Sequence, residues 1–199
     1  FSRSCSYGRS GGKMFEMTGI AKSYGDRKIL DGVELSVREG EPVCLFGPSG
    51  CGKTTLLSIA AGLTIPDEGK IINGKKSVSC VFQEDRLLPW CTVGENIMIS
   101  ARNREAASAM TEAAGLCEYL DYYPNEMSGG MRRRTAIARA AAFDGDIYIL
   151  DEPFTGIDDE RKEKICVCLR KLVRNKICLM ASHDIRDAEL MGAGILKIF

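Results

Sequence analysis

The sequence predicts an α/β fold built around a parallel sheet, and three local patterns carry this prediction. An apolar run at 41–46, EPVCLF, enters a glycine-rich loop, and a helix-like stretch at 54–62, TTLLSIAAG, follows that loop. The runs IYIL at 147–150 and KICLMAS at 176–182 have the composition of buried strands. A helical pattern separates these two runs, and alternating strands and helices are typical of parallel sheets.

Residues 1–13, FSRSCSYGRSGGK, are rich in serine, glycine and basic residues, and they lack the apolar core of a signal peptide. We interpret them as a disordered leader or an expression remnant, and we expect residues 14–199 to form one domain. Between Met14 and Ile72, strand-like pieces alternate with turns, and an NGKK turn begins at Asn73.

The middle of the chain changes from strand to helix. SVSCVFQ at 77–83 predicts another strand and ARNREAASAMTEAAG at 101–115 a helix, so residues 86 to about 130 are expected to form a mostly helical insertion. An amphipathic helix is expected before the last strand, because apolar residues recur there at i, i+3, i+4 and i+7. These residues are Ile165, Cys168, Leu169 and Leu172.

The composition disfavours several classes of protein. Lys plus Arg and Asp plus Glu both number 27, so no overall field favours nucleic acid or an anionic membrane, and we expect no nucleic-acid partner. No apolar stretch approaches the roughly 18–20 residues that span a bilayer. The nine cysteines are an odd number and include no CxxC pair, which favours reduced thiols over a disulfide framework.

Residues 47–54, GPSGCGKT, match the pattern GxxxxGK[ST] between a predicted strand and a predicted helix. Glycines in such a loop allow consecutive backbone N–H groups to surround phosphate oxygens, while the helix directs its positive end at the same anion. Lys53 would reach the β and γ phosphates, and the Thr54 hydroxyl would ligate Mg²⁺. The pattern therefore predicts a nucleotide site.

Two carboxylates, Asp151 and Glu152, follow the apolar run at 147–150. Ligands of open α/β sheets bind beyond the carboxyl ends of the strands. Our hypothesis is that Asp151 belongs to the Mg²⁺ shell and that Glu152 polarises the attacking water as a general base. Taken in isolation, two solvated acids after a strand would be an ordinary feature.

Seven motifs stand in the order of one family, and together they resemble the ATP-binding cassette ATPases, the nucleotide-binding subunits of ABC transporters. GPSGCGKTT is similar to that family's Walker A motif, IYILDEP to its Walker B motif with the catalytic glutamate, and MSGGM at 127–131 to its signature loop. Gln83 occupies the Q-loop position, Asp158 the D-loop, His183 the switch histidine, and Tyr24 the aromatic residue that stacks on adenine.

The resemblance implies a P-loop NTPase core with a parallel sheet, an N-terminal antiparallel β-subdomain, and a helical signature subdomain at about 86–135. It implies ATP and Mg²⁺ as cofactors. The catalytic residues would be Glu152, His183 and Gln83, and the metal ligands would be Thr54, Gln83 and Asp151. The residues that bind ATP would be Tyr24, Gly47, Pro48, Ser49, Gly50, Cys51, Gly52, Lys53, Thr54, Thr55, Ser128, Gly129, Gly130 and Asp158.

In the family, the signature loop contacts the γ phosphate of ATP that is bound to the other protomer. The resemblance therefore implies a homodimer, or a pair with a similar cassette, in the ATP-bound state. It also implies an integral membrane permease as partner and a cytoplasmic location, peripheral on the inner face of the cell membrane. LLPW, TVGEN and the SGGM ending resemble the nitrate, sulfonate and taurine importer cassettes, so we expect an ATPase that powers import of a small anion or organic solute.

The sequence also departs from the family pattern. Met127 and Met131 replace the usual Leu and Gln of the signature loop, and the short helical insertion and C-terminus indicate a trimmed cassette. Two other functions stay open: a soluble cassette of DNA repair, cofactor assembly or translation, and a nucleotide-sensing module without turnover. The absence of heptads disfavours a DNA-repair cassette, and the retained Glu152 and His183 disfavour a sensor.

Several residues have an ordinary structural interpretation as well. His183 and Tyr24 could be surface residues, and Trp90 could pack in its own loop instead of lining a groove for a membrane subunit. Residues 132–134, three consecutive arginines, spread around a helix, which favours a solvated helix start over a nucleic-acid site. Cys51 is either an inert packing residue or a reactive thiol near a helix dipole.

Overall fold

Two β-sheets organise the chain. The computed structural model describes residues 14–72 and 76–198, so the predictions for 1–13 and for the turn that begins at Asn73 lie outside the described residues. The strands are β1 (Met14–Tyr24), β2 (Arg27–Arg38), β3 (Val43–Phe46), β4 (Glu68–Ile72), β5 (Val78–Val81), β6 (Ile147–Asp151), β7 (Ile177–Ser182) and β8 (Gly194–Lys197).

Helices occupy both the predicted insertion and the segments between the parallel strands. They are α1 (Lys53–Ala60), α2 (Val93–Met98), α3 (Arg104–Ala113), α4 (Gly129–Phe143), α5 (Asp159–Leu172) and α6 (Ile185–Met191), with short 3₁₀ turns at Cys117–Tyr119 and Pro124–Glu126. Among the residues that the structure describes, no helix combines the length and the apolar character needed to cross a bilayer.

The predicted parallel sheet is confirmed. Its strands lie in the order β5-β6-β7-β3-β8, and every neighbouring pair is parallel. Strands β6 and β7 are buried along their whole length. Burial on both faces explains why their sequences are continuous apolar runs rather than alternating ones. All segments that follow these strands consequently emerge at one edge of the sheet.

A second sheet, with strand order β2-β1-β4, is antiparallel and covers the N-terminal part of the chain. It shares one buried apolar cluster with α1 and with one face of the parallel sheet, and Phe15, Leu56 and Ile149 all belong to it. Each such side chain contributes roughly 1.5–3 kcal/mol when it is fully buried. This core holds α1, and with it the glycine-rich loop, at a defined position beside β6.

The helical insertion packs on the opposite side of the parallel sheet. Met110 of α3, Ile137 of α4, Leu150 of β6 and Ile165 of α5 are members of one buried cluster. Helix α4 begins in the insertion and ends next to β6, so it connects the two parts of the molecule. The amphipathic pattern predicted for α5 is confirmed, because the face that carries Ile165 also buries Leu169.

Helix α2 lies within the predicted helical insertion, in a stretch where no hydrophobic period marks a helix. A capping box starts it: Thr92 Oγ1 accepts a hydrogen bond from the Glu95 N–H at 3.2 Å, and Glu95 Oε2 accepts one from the Thr92 N–H at 2.8 Å. The helix has only six residues. That length is too short for hydrophobic periodicity to show, so the capping signal T-x-x-E was the one available cue.

Candidate nucleotide site

The loop between β3 and α1 has the geometry of an anion cradle. Gly50 and Gly52 have φ angles of 80° and 97°, which glycine adopts without steric cost. A Cβ atom on Gly47 would lie 2.3 Å from the carbonyl oxygen of Ile198, so the chain is tightly packed where the loop begins. The first turn of α1 carries no acidic side chain, which leaves its positive end suited to an anion.

Lys53 lies across the inside of this loop. Its side chain is nearly buried, and Nζ donates hydrogen bonds to the carbonyl oxygens of Gly47 at 2.6 Å and Pro48 at 3.0 Å. The ammonium group is therefore held over the concave side of the loop, where its donors can be transferred to phosphate oxygens. Ser49 at the tip of the loop is exposed.

Asp151 at the end of β6 meets Thr54 at the start of α1. The carboxylate is 5% exposed and lies beside the Thr54 hydroxyl. Burial raises the pKa of Asp151 above its ordinary value. Within ranges 14–72 and 76–198, the Oδ1 atom of Asp151 is buried without a hydrogen-bond partner. A partnerless carboxylate oxygen beside a hydroxyl fits Mg²⁺, which takes oxygen ligands and completes its octahedron with water and phosphate.

Glu152 and His183 form a second pair at the same edge. Oε2 of Glu152 lies 2.8 Å from Nδ1 of His183, while the histidine side chain itself is 67% exposed. Glu152 has a φ of 47°, a strained value for a residue other than glycine. Its N–H donates to the Ala181 carbonyl at 3.0 Å. The chain thus turns sharply after β6, and the carboxylate reaches the histidine that follows β7.

The strand order explains why these groups converge. Phe46 at the end of β3 is in register with Ser182 at the end of β7, and β7 also pairs with β6. Neighbouring strands lie about 4.7–4.9 Å apart. The phosphate loop, His183 and the two carboxylates therefore all begin at neighbouring strand ends. Gln83 follows β5, the strand beyond β6, and its side chain is exposed at this edge.

The signature loop is an exposed helix start. Ser128 caps α4, because its Oγ accepts a hydrogen bond from the Met131 N–H at 3.2 Å. Ser128 and Gly129 are exposed, and the first turn has no acidic side chain. The first N–H groups of any helix have no acceptor within the helix. They are thus suited to an anion that arrives from outside the chain.

Gly130 is packed against the chain itself, which leads to a first prediction. A Cβ on Gly130 would lie 2.6 Å from the carbonyl oxygen of Gly156, whereas the nearest atom to a Cβ on Gly129 would be 3.9 Å away. We expect Gly130→Ala to destabilise the protein by about 1–3 kcal/mol through overpacking. The matched variant Gly129→Ala should cause no loss. Thermal unfolding without nucleotide checks this, and equal melting temperatures for the two variants would contradict it.

The remaining predicted residues make their contacts elsewhere. Tyr24 at the end of β1 is 53% exposed, and Lys22 Nζ lies 5.7 Å from its ring centroid. Asp158 caps α5 by accepting a hydrogen bond from the Arg161 N–H at 2.9 Å. Cys51 is half-buried, with its N–H 3.4 Å from the Pro48 carbonyl. The structure therefore places Thr54 beside Asp151, joins Glu152 to His183, and leaves Tyr24, Asp158, Ser128 and Gly129 exposed.

The interpretation of residues 132–134 as a solvated helix start is wrong for the middle arginine. Arg133 is 4% exposed and its guanidinium is hydrogen-bonded inside the molecule. The helical spacing indicates this burial, because Ile137 and Ala140 lie four and seven positions after Arg133 on the same face of α4 and both are buried. The three adjacent charges at 132–134 obscure this signal in the sequence.

Comparisons with known proteins identify the family of the chain. A family model described as ABC transporter matches residues 30–155. The chain is 39% identical to the aliphatic sulfonates import ATP-binding protein SsuB 3 of Paraburkholderia xenovorans, with 89% of this chain and 74% of the relative covered. It is 35% identical to the corresponding SsuB protein of Burkholderia ambifaria, with 94% and 61% covered.

Solved structures extend the likeness to the fold. The dimeric structure of MJ0796, a bacterial ABC transporter cassette, matches with a TM-score of 0.81 and 30% identity, covering 92% of this chain and 94% of that one. A dimeric post-hydrolysis state of the same cassette, bound to ADP and Pi, matches with a TM-score of 0.83, the same identity and the same coverage. The match of the family model to most of the chain, together with these likenesses, shows that the chain belongs to the ABC transporter family of ATP-binding cassettes.

Proposed function

We propose that this chain is the ATP-binding and ATP-hydrolysing subunit of an importer for an organic anion of the sulfonate class. The observation that carries the proposal is the convergence of the phosphate loop, Asp151 and the Glu152–His183 pair at one edge of the parallel sheet. The names of the relatives, aliphatic sulfonates import ATP-binding proteins, support the class of solute.

Glu152 is the general base of the proposed reaction. Its Oε2 is engaged by His183, which leaves Oε1 to accept a proton from water as the water oxygen bonds to the γ phosphorus. The bond from that phosphorus to the oxygen bridging to the β phosphate breaks, and ADP leaves with the electron pair. Lys53 transfers its donors from loop carbonyls to phosphate oxygens.

Thr54 and Asp151 would hold Mg²⁺, with Gln83 reaching it from the next strand. When bound, Mg²⁺ neutralises charge that develops between the β and γ phosphates. Among the described residues, no three His, Cys, Asp or Glu side chains are grouped to hold a metal alone. Phosphate and water would complete the shell, as is usual for Mg²⁺. Metal and nucleotide should bind together.

A second cassette completes each site in this proposal. The exposed Ser128 and the free first turn of α4 would contact the γ phosphate held by the other protomer, and Asp158 would lie at the same junction. The dimeric arrangement of the MJ0796 cassette supports this pairing. Two chains would thus close around two ATP molecules and separate after hydrolysis.

A membrane permease is the proposed receiver of this motion, and it would hold the chain at the cytoplasmic face of the cell membrane. Trp90 is 72% exposed, which disfavours packing in its own loop as its role. The loop is rigidly held, because the buried Asn96 accepts a hydrogen bond from the Leu88 N–H and donates to the Cys91 carbonyl. A fixed, exposed tryptophan suits a contact with a partner chain.

Phosphate release by the purified chain tests the proposed activity. We expect hydrolysis of MgATP whose specific rate rises with protein concentration, because each site needs two chains. Removal of Mg²⁺ with EDTA should abolish it, and readdition should restore it. A folded protein that releases no phosphate at any concentration, alone or with its copurified permease, would contradict the proposal.

A further inference from the structure

Arg133 lies between the chain segment that follows β5 and the segment that follows β6, at the sheet edge that carries the candidate nucleotide site. It sits on the second turn of α4, the helix that the signature loop begins, and only 4% of it is exposed. An arginine side chain keeps its charge in proteins and carries five N–H donors in a rigid plane. A buried arginine therefore fixes the positions of the acceptors around it.

One set of acceptors belongs to the chain just after β6. Nη2 of Arg133 lies 2.5 Å from the carbonyl oxygen of Asp151 and 2.5 Å from that of Glu152. Its Nε donates to the carbonyl of Pro153 at 3.2 Å. These three consecutive carbonyls include the strained residue at φ 47°. Such a conformation persists only where surrounding contacts hold it, and the guanidinium supplies several of them.

The other set belongs to the chain just after β5. Nη1 of Arg133 is hydrogen-bonded to the carbonyl of Phe82 and lies 3.3 Å from the carbonyl of Gln83. It also forms an ion pair with Asp85, at 3.3 Å from Oδ1. One planar group therefore joins the backbone of the predicted Q-loop to the backbone of the predicted base. The two segments are far apart in the chain.

We propose that Arg133 is a positioning residue that couples the Gln83 segment to the Glu152 backbone, so that both move with the signature helix when MgATP binds. The inference rests on the proposed function, because it assigns Glu152 as the base. Rotation of α4 would displace the Glu152 carbonyl and the Gln83 carbonyl together. A movement caused by MgATP binding at the phosphate loop would thus be transmitted through the Arg133 guanidinium to the loop that carries Trp90.

The structure offers matched controls on the same helix. Arg139 donates to the carbonyls of Asp85 and Arg86 but has no described bond to the chain after β6. Arg132 donates to the Met127 carbonyl. Arg133→Met therefore removes bonds to both the segment after β5 and the segment after β6. Arg139→Met removes bonds to the segment after β5 alone, and Arg132→Met removes bonds to neither. Arg133→Lys keeps the buried charge but lacks the planar fork.

The test combines steady-state hydrolysis of MgATP with the fluorescence of Trp90, the single tryptophan of the chain. We expect Arg133→Met to lower kcat at least tenfold with KM for MgATP within about threefold of the parent. It should also lose the MgATP-dependent change in tryptophan emission, which Arg139→Met and Arg132→Met retain. Arg133→Lys should fold like the parent and restore less than half of kcat. A Trp90→Phe variant should show no such emission change, which would confirm that the signal comes from Trp90.

Two results would overturn the inference. One is an Arg133→Met protein with parental kcat and a parental emission change. The other is loss of folding and nucleotide binding in both Arg133→Met and Arg133→Lys, which would show a role in stability alone. If the parent itself does not hydrolyse ATP, the proposed function fails. The emission change on MgATP binding then still decides whether Arg133 couples the two segments.

Discussion

Replacing Glu152 by glutamine is expected to lower kcat for ATP hydrolysis by about 10²–10⁴-fold, the usual contribution of a general base. The amide keeps the size of the side chain and can still meet His183 Nδ1, 2.8 Å away in the parent, but it cannot accept the proton of the attacking water. Binding of MgATP should change little, because the proposed phosphate contacts belong to the glycine loop and Lys53. Phosphate release and nucleotide titration measure the two effects separately.

The same variant should accumulate the closed pair of chains. With hydrolysis blocked, MgATP remains bound between the protomers, and light scattering or gel filtration should show a dimer that EDTA dissociates. Glu163→Gln on the exposed face of α5 is the matched control, and it should retain parental turnover. Parental turnover in Glu152→Gln would contradict its role as base. A monomer with MgATP at high concentration would contradict the role of Ser128 in the partner's site.

Replacing Lys53 by methionine is expected to weaken MgATP binding by the loss of a charge-assisted contact in a nearly buried place. Removal of one member of such a pair costs about 2–5 kcal/mol, which corresponds to roughly 30- to several-thousand-fold in affinity. Methionine retains about the length of the lysine side chain and removes only its charge and donors. Titration with MgATP, followed calorimetrically, checks the change.

Lys164→Met provides a control of the same chemistry at an exposed site, where the ammonium pairs with Glu160 at 2.5 Å. Exposed pairs of this kind contribute little to stability, and nucleotide affinity should stay unchanged. If Lys53→Met bound MgATP as tightly as Lys164→Met, the ammonium group would not be a phosphate ligand. Turnover alone would not decide this point, since several other changes also stop hydrolysis.

Features that depend on neighbours in the chain could be predicted from the sequence. The glycine spacing at 47–54 required a loop with left-handed angles, and Gly50 and Gly52 adopt them. The apolar runs at 147–150 and 176–182 became central strands of the parallel sheet. The helical period placed Ile165 and Leu169 in the core. In each case the cause is local, since backbone freedom and side-chain period act over a few residues.

The convergence of distant segments was decided only by the tertiary structure. No sequence pattern indicates that Glu152 reaches His183, because that contact depends on β6 and β7 being neighbours in the sheet. The burial of Arg133 is a stronger case, since its charge is accommodated by carbonyls that follow two different strands. Such a charge is tolerated inside a protein only where the fold has already brought enough acceptors together.

The sequence by itself thus determined an α/β cassette with a phosphate loop, a pair of carboxylates and an exposed signature helix, because each of these is encoded by adjacent residues. The tertiary structure alone decided which carbonyls surround Arg133 and that the Glu152 carboxylate meets His183. The physical reason is that hydrogen-bond acceptors in proteins are mostly backbone groups, which every residue carries alike, so their positions in space cannot be distinguished in the sequence.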